Sequence, residues 1–268
     1  MLKPAITATA LSSLLFISGC SFTQQDNQHI SQEKEQKEPV AQQQEEPEEI
    51  REVAVDQSAK PAQAGLYTLA EPENIAVLVN KEYSLPEDYK PADLMYPKVD
   101  FIFKEKIEKR MMRAEAAKAL EKMFGAAKKQ NLHLAGVSAY RSHETQVSLF
   151  NNYVKRDGLE NAKTYSALPG TSEHETGLAI DVTTADGACA AQDCFGDTAE
   201  AEWLAKHGHE YGFIIRYPEG KEHITGYKYE PWHLRYLGVE AATEIFENGI
   251  TLEEYYNAIP VDTEATKK

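Results

Sequence analysis

The sequence is short of basic residues, cysteines and long apolar runs, and each shortage narrows the class of protein. Only 28 Lys and Arg residues stand against 43 Asp and Glu residues, so the net charge is −15. Binding to nucleic acid needs clustered basic charge, so no nucleic-acid partner is expected. Any anionic substrate must therefore be met by a few placed cations.

An apolar run near the N-terminus is too short to cross a bilayer comfortably. Lys3 precedes a mostly apolar stretch over residues 5–17, which ends in small residues before Cys20. This order predicts a secretory signal peptide over residues 1–19. The sequence ISGC at residues 17–20 resembles a bacterial lipobox, which implies lipidation of Cys20 and a domain anchored on the extracytoplasmic side of the cell membrane. The alternative is an ordinary signal peptide with an incidental cysteine.

Only two cysteines remain if Cys20 carries lipid, namely Cys189 and Cys194. Disulfides persist outside the cytoplasm, so a bridge between these two is expected in an exported protein. The loop that it closes is small, so its effect on chain entropy is modest and its role is local. Free thiols are the alternative.

The chain divides by composition. Residues 20–65 are rich in Gln and Glu and almost free of aromatic residues. Such a segment cannot bury enough apolar surface to offset its chain entropy, so we predict a disordered acidic tether. A solvated helix is the alternative, because Glu and Gln favour helix. We expect one folded domain over residues 66–260 and a flexible tail over residues 261–268.

Hydrophobic periodicity predicts both helices and strands in this domain, without regular alternation of the two, which is typical of the α+β class. Amphipathic spacing predicts helices over residues 113–130, 143–157, 198–211 and 239–248. The proline-rich stretch 86–97 is expected to be irregular. Short apolar or alternating runs predict strands over residues 75–79, 132–138, 178–183, 213–217 and 232–236.

Two motifs together supply two imidazoles and two carboxylates. Residues 172–181 read SEHETGLAID, and residues 230–233 read EPWH. Asp181 stands in a strand-like apolar run, where an unpaired carboxylate is costly to bury and a metal ion removes that cost. A lone histidine or aspartate of this kind more often has an ordinary structural role. Jointly, however, three side chains would form a zinc site with one position open for water: His174, Asp181 and His233.

The full pattern resembles the metallo-D,D-carboxypeptidase family that includes the vancomycin-resistance carboxypeptidases and the L,D-carboxypeptidases. It combines S-x-H-x-x-G-x-A-x-D with E-P-W-H about fifty residues later, and it extends over VSAYRS at residues 137–142. The resemblance covers residues 74–238. It implies one domain with the fold shared by D,D-peptidases and hedgehog proteins, in which helices flank a small antiparallel sheet.

The resemblance also implies the roles of individual side chains. One zinc ion per chain is expected on the ligands already named, with Glu230 as the catalytic base. Arg141 is expected in the active site, at the substrate carbonyl or at its terminal carboxylate, with a surface ion pair as the alternative. Ser172 and Gln146 are expected near the terminal residue of the substrate.

Two features depart from many relatives. Ala139 stands where many of them have glycine, which costs little unless the position needs a positive φ. The acidic segment 186–197, which holds both cysteines, looks like a surface insertion found in part of the family. The remaining histidines lack partners at ligand spacing and are expected to be structural or exposed: His29, His133, His143, His207, His209 and His223.

The expected function is therefore zinc-dependent removal of the C-terminal D-alanine from peptidoglycan stem peptides by a monomer. An L,D-carboxypeptidase acting on tetrapeptide stems is the first alternative. A lipoprotein that binds cell-wall peptide without cutting it is the second, and retention of Glu230 speaks against it. A regulatory zinc domain of the hedgehog type is the third, and the lipobox speaks against that.

Overall fold

The computed structural model describes residues 61–63 and 66–257. The predicted signal peptide, Cys20, His29, most of the predicted tether and the predicted tail lie outside these residues. Within the described ranges, none of the helices combines the length and the hydropathy that a membrane crossing requires.

The described residues form three small β-sheets. The largest is a four-stranded antiparallel sheet with the strand order β6-β7-β9-β8. Its strands are β6 (Leu134–Ser138), β7 (Ala179–Thr184), β8 (Phe213–Ile215) and β9 (His233–Tyr236). A second sheet joins β1 (Pro61–Gln63), β2 (Leu66–Thr68) and β3 (Tyr83–Ser84). A third pairs β4 (Leu94–Met95) with β5 (Met112–Arg113).

Helices surround the central sheet. The α-helices of the described residues are α1 (Ala114–Lys129), α2 (His143–Asp157), α3 (Leu159–Tyr165), α4 (Ala199–His207), α5 (Glu222–Thr225), α6 (Val239–Asn248) and α7 (Leu252–Tyr255). Single 3-10 turns lie at Glu108–Arg110, Glu173–Thr176, Asp193–Asp197 and Gly208–Tyr211. The predicted α+β class, with helices flanking a small antiparallel sheet, is confirmed.

The apolar face of α1 covers one side of the central sheet. Leu120 and Met123 of α1 are fully buried and belong to the same core cluster as Ile180 of β7 and Leu234 of β9. Burial of each such side chain stabilises the fold by about 1.5–3 kcal/mol. Side chains alternate along a strand, so the neighbours of Ile180 and Leu234 point to the opposite face of the sheet. That face is therefore free to carry polar groups.

Most predicted elements are confirmed. The helices predicted over residues 143–157 and 239–248 are α2 and α6 with unchanged bounds, and the helix predicted over 113–130 is α1. The helix predicted over 198–211 begins after its Thr198 cap but passes into a 3-10 turn at Gly208. The strands predicted over 132–138, 178–183, 213–217 and 232–236 are present with slightly different ends. Helices α3, α5 and α7 were not predicted, and the two-residue strand β4 lies in the stretch 86–97 that was expected to be irregular.

The predicted strand over residues 75–79 is wrong. The segment is buried at Val77 and Val79 but has no strand partner. Its carbonyl groups bond to side chains instead, since the Arg235 guanidinium donates to the carbonyls of Ile75 and Val77 at 3.0 and 2.6 Å. A short apolar run predicts burial, and only the tertiary partners decide whether the backbone joins a sheet.

The described structure begins earlier than predicted. Strand β1 (Pro61–Gln63) pairs antiparallel with β2, although these residues were assigned to the tether.

The sulfur atoms of Cys189 and Cys194 form a disulfide, with 5.6 Å between the Cα atoms. The bridge spans the start of the 3-10 turn at Asp193–Asp197, whose Phe195 is buried in the core.

Two glycines with a left-handed backbone differ in the space around them. Gly212 and Gly249 both have positive φ, at 83° and 62°. A Cβ at Gly212 would lie 2.9 Å from the backbone of Gly238, whereas nothing lies within 4 Å at Gly249. We expect Gly249→Ala to lower the free energy of unfolding by about 1 kcal/mol, from the left-handed backbone alone. Gly212→Ala should cost about 1–3 kcal/mol more, from overpacking. Urea unfolding of both variants measures this, and equal losses would contradict it.

Candidate active site

Two of the predicted ligands are brought together by strand register. Asp181 of β7 lies directly opposite His233 of β9 in the antiparallel ladder, so both side chains project from the same face of the sheet. The Asp181 Oδ1 atom lies 3.0 Å from His233 Nδ1. Both residues are buried. This face is the one opposite to the α1 core.

The third predicted ligand comes from the 3-10 turn that precedes β7. His174 lies in this turn, which ends at Gly177 with a φ of 69°. Its Nε2 atom points to Asp181 Oδ2, 3.4 Å away. Its Nδ1 atom lies 2.7 Å from the Ala139 carbonyl oxygen. A carbonyl only accepts hydrogen bonds, so Nδ1 carries the proton and Nε2 presents its lone pair to the cluster.

These three residues fit a zinc ion. One donor atom from each of His174, Asp181 and His233 can be chosen so that all lie within 4.8 Å of one another. Two imidazoles and one carboxylate are a ligand set that zinc accepts, and three protein ligands leave a position for water or substrate. Burial raises the pKa of Asp181, but the two imidazoles outweigh that effect and hold it well below its usual range. The carboxylate is therefore ionised.

The His233 ring is held from its far side by Glu173. Its Nε2 atom lies 3.3 Å from Glu173 Oε2, which leaves Nδ1 facing Asp181. Burial lowers the pKa of His233, but the hydrogen bonds to Asp181 and Glu173 outweigh it and raise the pKa to about 9. A metal ion must displace that proton, so metal binding at this site releases protons.

Sequence reasoning missed the charges behind this ring. Glu173 accepts from Arg216 Nε at 2.8 Å and from Arg235 Nη1 at 2.6 Å, and all three side chains are without exposed surface. A signal was available, since Arg235 shares the face of His233 in the alternating strand β9, and an arginine on a buried face needs an anionic partner. The sequence pattern of β9 does not show which carboxylate is the partner of Arg235.

Glu230 stands at the edge of the cluster. Its backbone N–H donates to the Tyr217 carbonyl, and its own carbonyl accepts from the His233 N–H. The side chain is partly buried and interacts electrostatically with His233 and Asp181. Burial raises the pKa of the Glu230 carboxyl to about 7, with His233 opposing and Asp181 adding to that rise. A carboxyl with this pKa can exchange a proton near neutral pH.

Arg141 and Gln146 form a pair beside the His174 turn. The Arg141 backbone N–H donates to the His174 carbonyl, and its Nη1 donates to Gln146 Oε1 at 2.7 Å. Gln146 is fully buried and donates from Nε2 to the Ala167 carbonyl at 2.7 Å. The amide therefore holds the guanidinium in place. Ser172, two residues before His174, is buried at the N-cap of the same turn.

The departure at Ala139 is accommodated. Its φ is not positive, its side chain is buried in the core, and its carbonyl holds His174. Among the other histidines, His143 pairs with Glu175 at 2.9 Å, His207 pairs with Glu210 at 2.8 Å, and His209 stacks on Phe246 with ring centroids 3.8 Å apart. Of the described residues, only the predicted three meet the geometry of a metal cluster.

Comparison with known proteins identifies the family of the chain. The family model described as VanY, D-alanyl-D-alanine carboxypeptidase, matches residues 109–239. The YodJ protein of Bacillus subtilis (strain 168) is 51% identical over 195 residues, covering 73% of this chain and 71% of that protein. The bifunctional D-Ala-D-Ala dipeptidase and carboxypeptidase VanXYC of Enterococcus gallinarum is 36% identical, covering 69% of this chain and 94% of that protein.

Solved structures show the same relation. The LD-carboxypeptidase LdcB matches with a TM-score of 0.72 and 50% identity, over 75% of this chain and 94% of that one. A mutant of the vancomycin-resistance D,D-pentapeptidase VanY, solved in complex with Zn(II), matches with a TM-score of 0.56 and 32% identity, over 67% of this chain and 97% of that one. The chain belongs to the VanY family of D-alanyl-D-alanine carboxypeptidases and is a metallocarboxypeptidase.

Proposed function

We propose that this protein is a zinc-dependent carboxypeptidase that removes the C-terminal D-alanine from peptidoglycan stem peptides, with Glu230 as general base. The observation that carries the proposal is the buried cluster of His174, Asp181 and His233 with a carboxyl of raised pKa beside it. Its relatives include proteins named for D-Ala-D-Ala carboxypeptidase activity. The metal ligands and the base are both retained, which disfavours a role limited to binding.

The three ligand side chains would hold one zinc ion through His174 Nε2, His233 Nδ1 and the Asp181 carboxylate. A bound zinc ion supplies Lewis-acid chemistry, since it polarises a carbonyl and makes water acidic enough to act as a nucleophile near neutral pH. The chain's part in this is to fix the rings, through the Ala139 carbonyl and Glu173. Such outer partners set both the tautomer and the orientation of ligand imidazoles.

Glu230 would take a proton from the attacking water and deliver it to the departing D-alanine amine. Its raised pKa supports both transfers, because a group with a pKa near the working pH accepts and releases protons with similar ease.

Arg141 would meet the negative charge of the substrate. A guanidinium can donate charge-assisted hydrogen bonds either to the terminal carboxylate of the stem peptide or to the oxyanion that develops during cleavage. Gln146 would act by positioning, since its amide already bonds to Arg141 and to the Ala167 carbonyl. Ser172 would lie near the terminal residue of the substrate, as its place before His174 indicates.

A second candidate function is L,D-carboxypeptidase activity on tetrapeptide stems. The observation that favours it is the match to LdcB, which is named as an LD-carboxypeptidase and is 50% identical to this chain. The family model and VanXYC favour D,D activity on pentapeptide stems. Both reactions release D-alanine and need the same ligands and base, so the difference rests on the residue that precedes the cleaved bond.

Metal loading gives the first prediction for this site. At free zinc about 100 times the dissociation constant, binding should raise the free energy of unfolding of the wild type by about 2.7 kcal/mol. Asp181→Ala should lose this zinc-dependent gain. His207→Ala should keep it, because His207 pairs with Glu210 outside the cluster. Thermal unfolding with and without zinc measures the gain, and an equal gain in all three proteins would refute the assigned ligands.

The proposed reaction gives the second prediction. With muramyl pentapeptide and tetrapeptide as substrates, Glu230→Ala should lower kcat for D-alanine release by about 10²–10⁴-fold while zinc binding is retained. Glu219→Ala is the matched control, since Glu219 is an exposed carboxylate in the segment between β8 and β9, which also contains Glu230. Chelation should abolish release and added zinc should restore it. The preferred stem peptide identifies D,D or L,D activity, and release from neither by zinc-loaded protein would reject the proposal.

We also propose that the chain is anchored to the cell membrane through lipid on Cys20, with the carboxypeptidase domain on the extracytoplasmic side, acting as a monomer. The lipobox-like sequence at residues 17–20 supports the anchor. The disulfide between Cys189 and Cys194 supports an oxidising compartment.

Cys20→Ala should move the protein from the washed membrane fraction to the soluble fraction without loss of activity, because it removes the site of lipidation. Cys189→Ala is the matched control, which removes the disulfide and should stay with the membranes. Immunoblotting of the two fractions measures this. Retention of Cys20→Ala in the membrane fraction would count against the anchor.

A further inference from the structure

One face of the central sheet carries a continuous row of polar side chains around the candidate metal site. His233 and Arg235 are two residues apart on β9 and share this face with Asp181. The Arg216 backbone N–H donates to the His233 carbonyl, which continues the β8–β9 ladder by one residue and places Arg216 on the same face. Arg235 lies opposite Ala179, whose small side chain leaves room for the guanidinium.

Glu173 joins these groups to the ligand ring. One carboxylate oxygen accepts from both Arg216 and Arg235, and the other lies 3.3 Å from His233 Nε2. A carboxylate oxygen that accepts from two guanidinium groups belongs to an anionic carboxylate. Glu173 is therefore a charged acceptor that fixes which nitrogen of His233 faces the cluster.

Arg216 is fixed in turn by a residue near the end of the described chain. Its Nη1 and Nη2 atoms donate to the two carboxylate oxygens of Glu253 on α7, at 2.9 and 2.6 Å. Asn80 donates from Nδ2 to the same carboxylate at 3.2 Å. Each nitrogen of the Arg216 guanidinium thus donates to a carboxylate. Nε donates to Glu173, and Nη1 and Nη2 donate to Glu253. Asn80 and Glu253 both lie outside residues 109–239, which the family model matches.

The four buried charges balance. Arg216 and Arg235 carry two positive charges, and Glu173 and Glu253 carry two negative ones, each with 1% exposed surface or less. A buried charge that loses its partner is strongly unfavourable. If Glu253 were neutral, the guanidinium of Arg216 would have only Glu173 as an anionic partner. Glu173 would then be drawn from His233, and a net positive charge would lie behind a site that binds a cation.

We propose that Glu253 is a positioning residue for the metal site, which acts through Arg216 and Glu173 to hold the His233 ring with Nδ1 toward the metal. This rests on the proposed function, in that the metal is the zinc ion of the carboxypeptidase site. It makes helix α7, which lies beyond the region matched by the family model, a part of the support of the metal centre.

The test compares Glu253→Gln with Glu254→Gln in the full-length chain. Both residues are carboxylates of α7, but Glu254 pairs with Lys221 and caps the helix through Thr251. The readouts are the zinc dissociation constant from chelator competition, the visible absorption spectrum of the cobalt-substituted protein, and thermal unfolding without metal. Glu253→Gln should weaken zinc binding by about 10-fold and alter the cobalt spectrum. Glu254→Gln should change neither.

A double variant, Arg216→Met with Glu253→Leu, keeps the test valid if the single variant fails to fold. It removes an ion pair and leaves Arg235 and Glu173 in balance, which buried ion pairs often tolerate. Glu173 then lacks one of its two anchors, so zinc binding should again weaken by about 10-fold. Lower thermal stability with wild-type zinc affinity and cobalt spectrum, in either variant, would overturn the proposal and leave a purely structural role.

The readouts also separate this proposal from the proposed function. Wild-type protein that binds zinc but releases no D-alanine would reject the reaction, while the metal affinities of the variants would still decide the role of Glu253. Wild-type protein that binds no zinc would overturn both.

Discussion

The pairing of Asp181 with His233 across β7 and β9 is the constraint on which the site depends. Side chains alternate along each strand, so a shift of one residue in this register would turn one of the two ligands toward the α1 core. The apolar residues on the other face prevent that shift, because Ile180 and Leu234 are fully buried in the core cluster. Hydrophobic packing on one face therefore sets the geometry of the candidate metal ligands on the other.

The polar face is stable only because its charges are matched. An isolated ion is costly to remove from water, and the cost is recovered where partners are close and each nitrogen of the ion has a partner. Arg235 illustrates this, since it bonds to Glu173 and to the carbonyls of Ile75 and Val77, and its Nε donates to the Tyr236 carbonyl. The same contacts that satisfy the arginine also hold the segment before β3 against the sheet. The candidate metal site and the fold thus share supporting hydrogen bonds.

Local signals predicted much of the fold. The Thr198 side chain caps α4 at the residue where the helix was predicted to start, and the amphipathic spacing of α1 predicted its buried face. The prediction failed at residues 75–79, where an apolar run is buried without a strand partner. It also missed α3, a seven-residue helix without a side-chain cap, and the four-residue helices α5 and α7. Residues 75–79 depend on distant partners, whereas the capping box of Thr251 and Glu254 at the start of α7 was a local signal that went unused.

By itself, the sequence determined the chemistry of the site: two histidines, an aspartate and a glutamate in a spacing that resembles a metallocarboxypeptidase family, and an arginine to meet an anionic substrate. The tertiary structure decided which atoms of these residues face one another. His174 presents Nε2 because the Ala139 carbonyl holds its Nδ1, whereas His233 presents Nδ1 because Glu173 holds its Nε2. The sequence could not supply this, because the partners are separated by 35 and 60 positions along the chain and meet only when the sheet has formed.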